Sequence, residues 1–164
     1  MFTRDIGQNF SRKLVNQIRA EGVEVEVMEQ RLSRPIRIKI ADVLLYVKYA
    51  NLNKAGNWYF GFYPKDLADD TFCHYAILLC GENDVVRTYL IPFKEFSSFV
   101  RTGTLVESSK RSEQYQSHIF PDRKYVMKMI GNPHSELPMA AFQLHHGSID
   151  SHFVEVLLNK VISR

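Results

Sequence analysis

The spacing of apolar side chains predicts a helix near each end of the chain. At the N-terminus apolar residues recur every four positions, as on one face of an amphipathic helix, at Phe2, Ile6, Phe10, Leu14 and Ile18. Gly22 follows them and is a residue type that often ends a helix. Near the C-terminus Ser148 is a candidate N-cap for a second helix with the same spacing, at Ile149, Phe153, Leu157 and Val161.

Between these helices the pattern predicts a succession of strands. Residues 23–32 and 35–40 alternate apolar with charged or polar side chains, which is typical of half-exposed strands, and Ser33–Pro35 separates them. Residues 72–80 are apolar almost without interruption, as expected of a central strand covered on both faces. The remaining pattern predicts strands at 43–50, 57–63, 85–93 and 124–130, short helices at 64–70 and 94–100, and at Ala41–Asp42 either a tight turn or a bend in one long strand.

Residues 101–123 are polar and rich in turn-forming residues, so we expect a mobile surface loop there. The succession of a helix, several strands, short helices and a terminal helix predicts an α/β or α+β fold, with a central mixed sheet flanked by helices. A chain of 164 residues suits a single domain, since two domains would each have a small core.

Composition restricts the class of protein without naming a function. The chain is 45% hydrophobic, as folded globular proteins are, and no apolar stretch approaches the ~18 residues that would span a bilayer. The first residues lack the apolar core of a signal peptide. Cys73 and Cys80 would point to opposite faces of one strand, and unpaired thiols suit a reducing compartment. We therefore expect a cytoplasmic protein without membrane attachment.

Lys48 is unusual because it lies within the apolar segment VLLYVKYA, residues 43–50. A lysine ammonium group is costly to remove from water, so it needs a partner, a route to solvent or a function. One interpretation is a strand that ends near solvent, with the lysine reaching outward. The other is a functional lysine, and the segments that follow Lys48 favour it.

The order of segments from Lys48 onward resembles that of the PD-(D/E)xK nucleases, the restriction-endonuclease-like superfamily, and especially its small resolvase-like and intron-associated members. A strand that ends in VKYA is followed by an aromatic strand, an acidic turn, the apolar strand HYAILLC and a strand that closes with YLIPFKEF. The resemblance covers residues 5–100 and leaves 101–164 as a C-terminal extension. It implies a restriction-endonuclease-like core, with Lys48 at the position of the motif lysine.

The acidic residues of the family motif are absent from the matching positions. Tyr46 stands two residues before Lys48, and residues 32–35 read Leu-Ser-Arg-Pro where the other acid would lie. Two carboxylates are needed to hold the Mg²⁺ that activates water, and a tyrosine phenol stays neutral near pH 7. We therefore expect a nucleic-acid-associated domain that is catalytically degenerate, with no metal ligands and no cofactor.

The resemblance implies a nucleic acid as partner, with DNA expected, and a net charge of +3 permits this without requiring it. Basic residues near the motif would contact phosphates, which positions a nucleic acid without reading its sequence: Lys48, Lys54, Arg34, Arg37 and Lys39. Tyr59 and Tyr63 share one face of the aromatic strand, with Gly61 leaving a notch between them, and are candidates for base stacking.

Two other functions remain open. An active Mg²⁺-dependent endonuclease would use Lys48 and Asp42 as catalytic residues, with further ligands from Glu24, Glu26 and Glu29 or, on the first helix, from Asp5 and Glu21. A protein-interaction or structural domain would use the sheet as a scaffold, and a homodimer is compatible with each function.

The segment LHHGSIDSH near the C-terminus brings several potential metal ligands together. His145, His146, Asp150 and His152 could bind a divalent metal. The alternative is a polar entry to the terminal helix, in which these side chains face water.

Overall fold

The computed structural model describes residues 8–68, 72–107 and 113–162. It contains a mixed six-stranded sheet and a second, five-stranded sheet. The helices are α1 (Phe10–Ala20), α2 (Phe93–Val100) and α3 (Ser151–Val161), with 3₁₀ turns at Pro64–Leu67, Pro121–Arg123 and Ala140–Phe142. The strands are β1 (Val25–Arg31), β2 (Arg34–Ile40), β3 (Val43–Asn51), β4 (Trp58–Phe62), β5 (Tyr75–Glu82), β6 (Val85–Pro92), β7 (Leu105–Glu107), β8 (Glu113–Phe120), β9 (Val126–Met129), β10 (Leu137–Pro138) and β11 (Gln143–Gly147).

The six-stranded sheet has the spatial order β1-β2-β3-β5-β6-β11. Strands β1, β2 and β3 form an antiparallel meander, β5 lies parallel to β3, and β6 runs antiparallel to β5. The connection from β3 to β5 contains β4, which leaves this sheet and joins the second one, ordered β10-β9-β8-β4 with β7 paired to β8. The crossover between two parallel strands therefore builds part of the opposing layer.

The turn between β1 and β2 is tight and strained. Arg31 and Arg34 are cross-strand partners, and the two residues between them, Leu32 and Ser33, have φ angles of 49° and 64°. Left-handed residues at both central positions are typical of a type I′ hairpin turn. Neither residue is glycine, so the turn carries a steric cost, and it holds Arg31 and Arg34 side by side.

The two faces of the six-stranded sheet are covered differently. Helices α1 and α3 cover one face, where Leu14, Ile18 and Phe153 pack against Val47 and Ile77. The second sheet and α2 cover the other face with an aromatic core, whose most buried large side chains include Tyr46, Phe60, Phe62 and Phe96. Strand β5 lies between both layers and is buried from Ala76 to Cys80, which confirms the prediction of a covered central strand, although the strand begins at Tyr75 and not at residue 72.

One face predicted to be flanked by helices is covered by the second sheet together with α2. Three local predictions were also wrong. Residues 101–123 are not one loop, because β7 and β8 lie there, although residues 108–112 lie outside the described ranges. Asp150, not Ser148, caps α3 by accepting a hydrogen bond from the Phe153 amide. Cys73 precedes β5, so it packs in the same cluster as Cys80 instead of opposite to it, and both thiols are free.

We expect Gly81→Ala to destabilise the protein by about 1–3 kcal/mol, the usual cost of overpacking a core. A methyl group at Gly81 on β5 would collide with the buried ring of Phe10 on α1. Urea unfolding measures the effect, and the double variant with Phe10→Leu is the control. The loss of stability should be smaller in that background, because the ring that collides is gone; equal losses in both backgrounds would contradict this packing of α1.

No helix within the described ranges is both long and apolar enough to cross a membrane.

Candidate functional site

A cleft of about 250 Å³ opens where the β1–β2 turn, the second half of β3 and the second sheet meet. Its charged lining consists of Arg31, Arg34 and Lys48, and Tyr63 and Gln114 add polar groups. Among the described residues no carboxylate lines this cleft. The site therefore presents three cations in a concave surface, which suits an anionic ligand.

Lys48 reaches this cleft from β3 on the same side of the strand as Tyr46. Both side chains lie next to Phe62 of the second sheet, with Lys48 Nζ 6.0 Å from its ring centroid, whereas Val47 points toward the helices. Burial lowers the pKa of Lys48 from 10.5 to about 8; Asp66 partly opposes this shift, and Arg31 and Arg34 add to it. Lys48 is thus neither in a sealed apolar core nor fully solvated.

Asp66 is the buried counter-charge of the site. Its carboxylate is 4% exposed and accepts two hydrogen bonds from the Arg31 guanidinium, at 2.7 Å and 3.1 Å. Arg31 also contacts Glu29 at 3.2 Å. This bidentate pair fixes the guanidinium at the cleft wall, and it leaves the acid behind the cationic surface instead of on it.

Tyr46 stays a neutral phenol. Its side chain is fully buried between Phe62, Phe93 and Phe96, and burial, followed by the nearby Asp66 carboxylate, raises the pKa of Tyr46 well above 10. A neutral, enclosed hydroxyl group supplies no negative charge to a divalent cation. The side chain two positions before Lys48 therefore contributes to the core and not to a metal site.

The remaining basic candidates divide into one that joins the cleft and three that do not. Arg34 lies at the cleft, with its guanidinium 5.8 Å from the Tyr49 ring centroid. Arg37 lies 3.8 Å from Glu29, outside the cleft lining. Lys39 lies on a separate groove along β1, and Lys54 is exposed in the turn between β3 and β4.

Both tyrosine candidates lie at or beside the cleft. Tyr63 lines it, and the Arg31 guanidinium lies 5.2 Å from its ring centroid. Tyr59 is 39% exposed and donates a hydrogen bond to Gln114 Oε1 at 3.0 Å. The Gln114 amide occupies the space over Gly61 that a side chain would need. The predicted notch is present, and Gln114 fills it.

The acids considered for a relocated metal site are scattered. Asp42 is exposed in the β2–β3 turn, at the opposite end of β3 from the cleft. Glu24 and Glu26 line the separate groove, and Glu21 accepts a hydrogen bond from Ser151; Asp5 lies outside the described residues. Within the described ranges no group of three or more His, Cys, Asp or Glu side chains could hold a metal ion.

The C-terminal histidines form a ring cluster at the start of α3. The rings of His145 and His152 lie 5.6 Å apart, and His145 also contacts Phe153. His152 lies 3.7 Å from Glu155, and Asp150 is engaged as the N-cap. Burial, followed by His152, lowers the pKa of His145. These contacts agree with a polar entry to the helix.

Sequence reasoning missed Asp66 and Gln114. Asp66 lies in the segment PKDLADD, which by its residue types is an ordinary turn, and Gln114 lies in the segment predicted as a loop. The only hint was an acidic residue next to the apolar Leu67. Both residues become part of the site through pairing between segments distant in sequence.

Comparisons of the chain with protein-family models, with curated proteins and with solved structures found no match.

Proposed function

We propose that the cleft binds the phosphate backbone of a nucleic acid, in a domain with a restriction-endonuclease-like core that has lost metal-dependent catalysis. The observation that carries the proposal is the cleft lining: Arg31, Arg34 and Lys48 converge there, and none of the described residues that line the cleft is a carboxylate. Phosphate contacts of this kind supply most of the sequence-independent affinity for nucleic acid.

The order of elements supports the resemblance to the nucleases. Lys48 lies in the second half of a central strand, and the segments that follow are an aromatic strand, an acidic turn and a strand buried on both faces. One difference is that the second sheet covers the face where a flanking helix was expected. The resemblance therefore rests on the central mixed sheet and its lysine, and not on the outer layers.

The chemistry of the cleft favours binding over hydrolysis. Mg²⁺ requires several hard oxygen ligands, but the nearby acid Asp66 is already held by both terminal guanidinium nitrogens of Arg31. Tyr46 is neutral and enclosed. A phosphodiester, in contrast, could accept hydrogen bonds from the exposed Arg34, and the positive charge of Lys48 would stabilise its negative charge.

We expect salt-dependent binding of DNA oligonucleotides that requires Arg34 and Lys48. Removing one cation that binds a phosphate should make the negative slope of log affinity against log salt shallower by about 0.7 for a single strand, because fewer counterions are released. Arg34→Ala and Lys48→Ala are the test variants, and fluorescence anisotropy across a salt series is the measurement. Lys160→Ala is the matched control, since Lys160 is exposed on α3, on the far side of the six-stranded sheet.

The same preparations should not cleave duplex, branched or single-stranded DNA in Mg²⁺ or Mn²⁺. Cleavage that depends on Mg²⁺ and is abolished in Asp42→Asn would establish an active endonuclease instead. No binding even near 50 mM salt, where phosphate contacts are strong, would overturn the proposal in favour of a protein-interaction domain.

A further inference from the structure

Three aromatic rings form a row on the outer side of the second sheet. The ring centroids of Tyr59 and His118 lie 5.4 Å apart, and those of His118 and Phe120 lie 5.7 Å apart. Their neighbours along the same strands, Trp58, Phe60 and Ile119, point inward and are buried. None of the three rings belongs to either core cluster, so the row is not part of the packing that holds the sheets together.

The row begins at the rim of the cationic cleft. Gln114 lines the cleft and also accepts the hydrogen bond of the Tyr59 hydroxyl, and Gly61, next to both, lines the cleft as well. Tyr63, which lines the cleft, is close enough to Tyr59 to influence its ionisation. A ligand that leaves the cleft over Gln114 therefore meets Tyr59 first, then His118, then Phe120.

Positive charge accompanies the rings. The Arg123 guanidinium lies 4.9 Å from the Phe120 ring centroid, and Lys128 on β9 is the cross-strand partner of His118. Burial lowers the pKa of His118, which keeps its ring neutral near pH 7. The surface thus places cations beside His118 and Phe120, a combination that suits bases joined by a phosphate backbone.

We infer that this row is a stacking platform for the unpaired bases of a single-stranded nucleic acid whose backbone occupies the cleft. The inference rests on the proposed function and narrows its ligand class from nucleic acid in general to single strands. Aromatic side chains on a sheet stack with bases that are splayed out, whereas a duplex keeps its base faces inside. Ring spacings above 5 Å fit one base per ring along an extended strand.

The test compares three probes by fluorescence anisotropy: an oligothymidylate, an oligonucleotide of equal length with abasic residues in place of thymidines, and a duplex hairpin. We expect the oligothymidylate to bind at least about tenfold more tightly than the abasic strand, because each stacked base contributes about 1–3 kcal/mol. His118→Ala and Phe120→Leu should reduce this ratio toward one and leave abasic binding and its salt dependence unchanged. Tyr59→Phe keeps the ring and is the conservative control. Circular dichroism verifies that each variant is folded.

The outcomes separate the two proposals. Equal affinity for the oligothymidylate and the abasic strand, with binding still dependent on Lys48, would overturn the platform and leave the cleft proposal intact. Tighter binding of the duplex than of the oligothymidylate would also overturn the platform. Failure of the abasic strand to bind at any salt concentration would overturn the cleft proposal, whatever the bases contribute.

Discussion

Lys48→Met should make the protein more stable at pH 7, by about 2 kcal/mol, while it abolishes the contribution of this side chain to anion binding. Burial lowers the pKa of Lys48 from 10.5 to about 8, and each factor of ten in proton affinity corresponds to about 1.4 kcal/mol. Because Lys48 has partial access to the cleft, the expected gain in stability is smaller than the pKa difference alone implies. Methionine fills similar space without a charge to desolvate.

The pH dependence has a defined sign. Below pH 8 Lys48 is charged in both the folded and the unfolded chain, so the folded state carries the whole desolvation cost. Between about pH 8 and 10.5 the unfolded chain binds the proton that the folded chain has released, so stability rises with pH. The advantage of the variant should shrink across this window and vanish above it.

Urea unfolding at pH 7, 9 and 10 measures this difference, with Lys160→Met as the control for an exposed lysine. That control should change stability little at any of these pH values. A Lys48→Met variant that is less stable than the wild type at pH 7 would contradict the expectation, since the interactions of Lys48 with Phe62 and Asp66 would then outweigh its desolvation.

Asp66→Asn should have the opposite effect and destabilise the protein by about 3 kcal/mol. Removing one partner of a buried ion pair leaves an uncompensated charge, which typically costs about 3–5 kcal/mol; the Arg31 side chain retains 27% exposure, which places the effect at the lower end. Thermal and urea unfolding measure it. Glu29→Gln is the matched control: its carboxylate contacts the same guanidinium but is 34% exposed, so the loss of stability should stay below about 1 kcal/mol.

The Asp66 variant also tests the electrostatics of the cleft. Asp66 raises the pKa of Lys48 against the effect of burial, so its neutralisation should lower that pKa further. Under the proposed function, oligonucleotide binding uses protonated Lys48 and should decline as pH rises through this pKa. The midpoint of that decline should therefore lie at lower pH in Asp66→Asn than in the wild type. Identical midpoints would show that Asp66 does not act on Lys48.

Five strands of the six-stranded sheet could be predicted because their patterns are local, whereas β11 was not predicted. Val25, Val27, Ile38 and Ile40 alternate with charged residues, and the strands β1 and β2 follow that alternation. Strand β8 could not be recognised in the same way. Its inward positions include Ser117, a small polar residue that is completely buried, so the alternation of apolar and polar residues is interrupted although half of the strand faces a core.

The candidate site likewise combines residues that a local sequence pattern identifies with residues that only the fold brings together. Lys48 was identifiable because a lysine within an apolar strand is locally anomalous. Its environment was not, since Asp66 and Gln114 arrive from a crossover and from the second sheet. No spacing in the sequence predicts the ion pair between Arg31 and Asp66, because this pair depends on the path of the chain between β3 and β5. Local pattern therefore singled out Lys48, whereas the resemblance suggested Arg34, which lines the same cleft, but neither could exclude Arg37, Lys39 or Lys54 from that cleft.

The crossover from β3 to β5 has a consequence for how this surface could diversify. The cations and tyrosines of the cleft come from residues 31–63, whereas Gln114, His118, Phe120 and Arg123 come from β8 and the turn after it. The two halves meet at the hydrogen bond between Tyr59 and Gln114. Under the proposed function, substitutions at His118 or Phe120 on β8 would change the stacking with bases and leave the cations of the cleft in place, so the two properties could evolve separately.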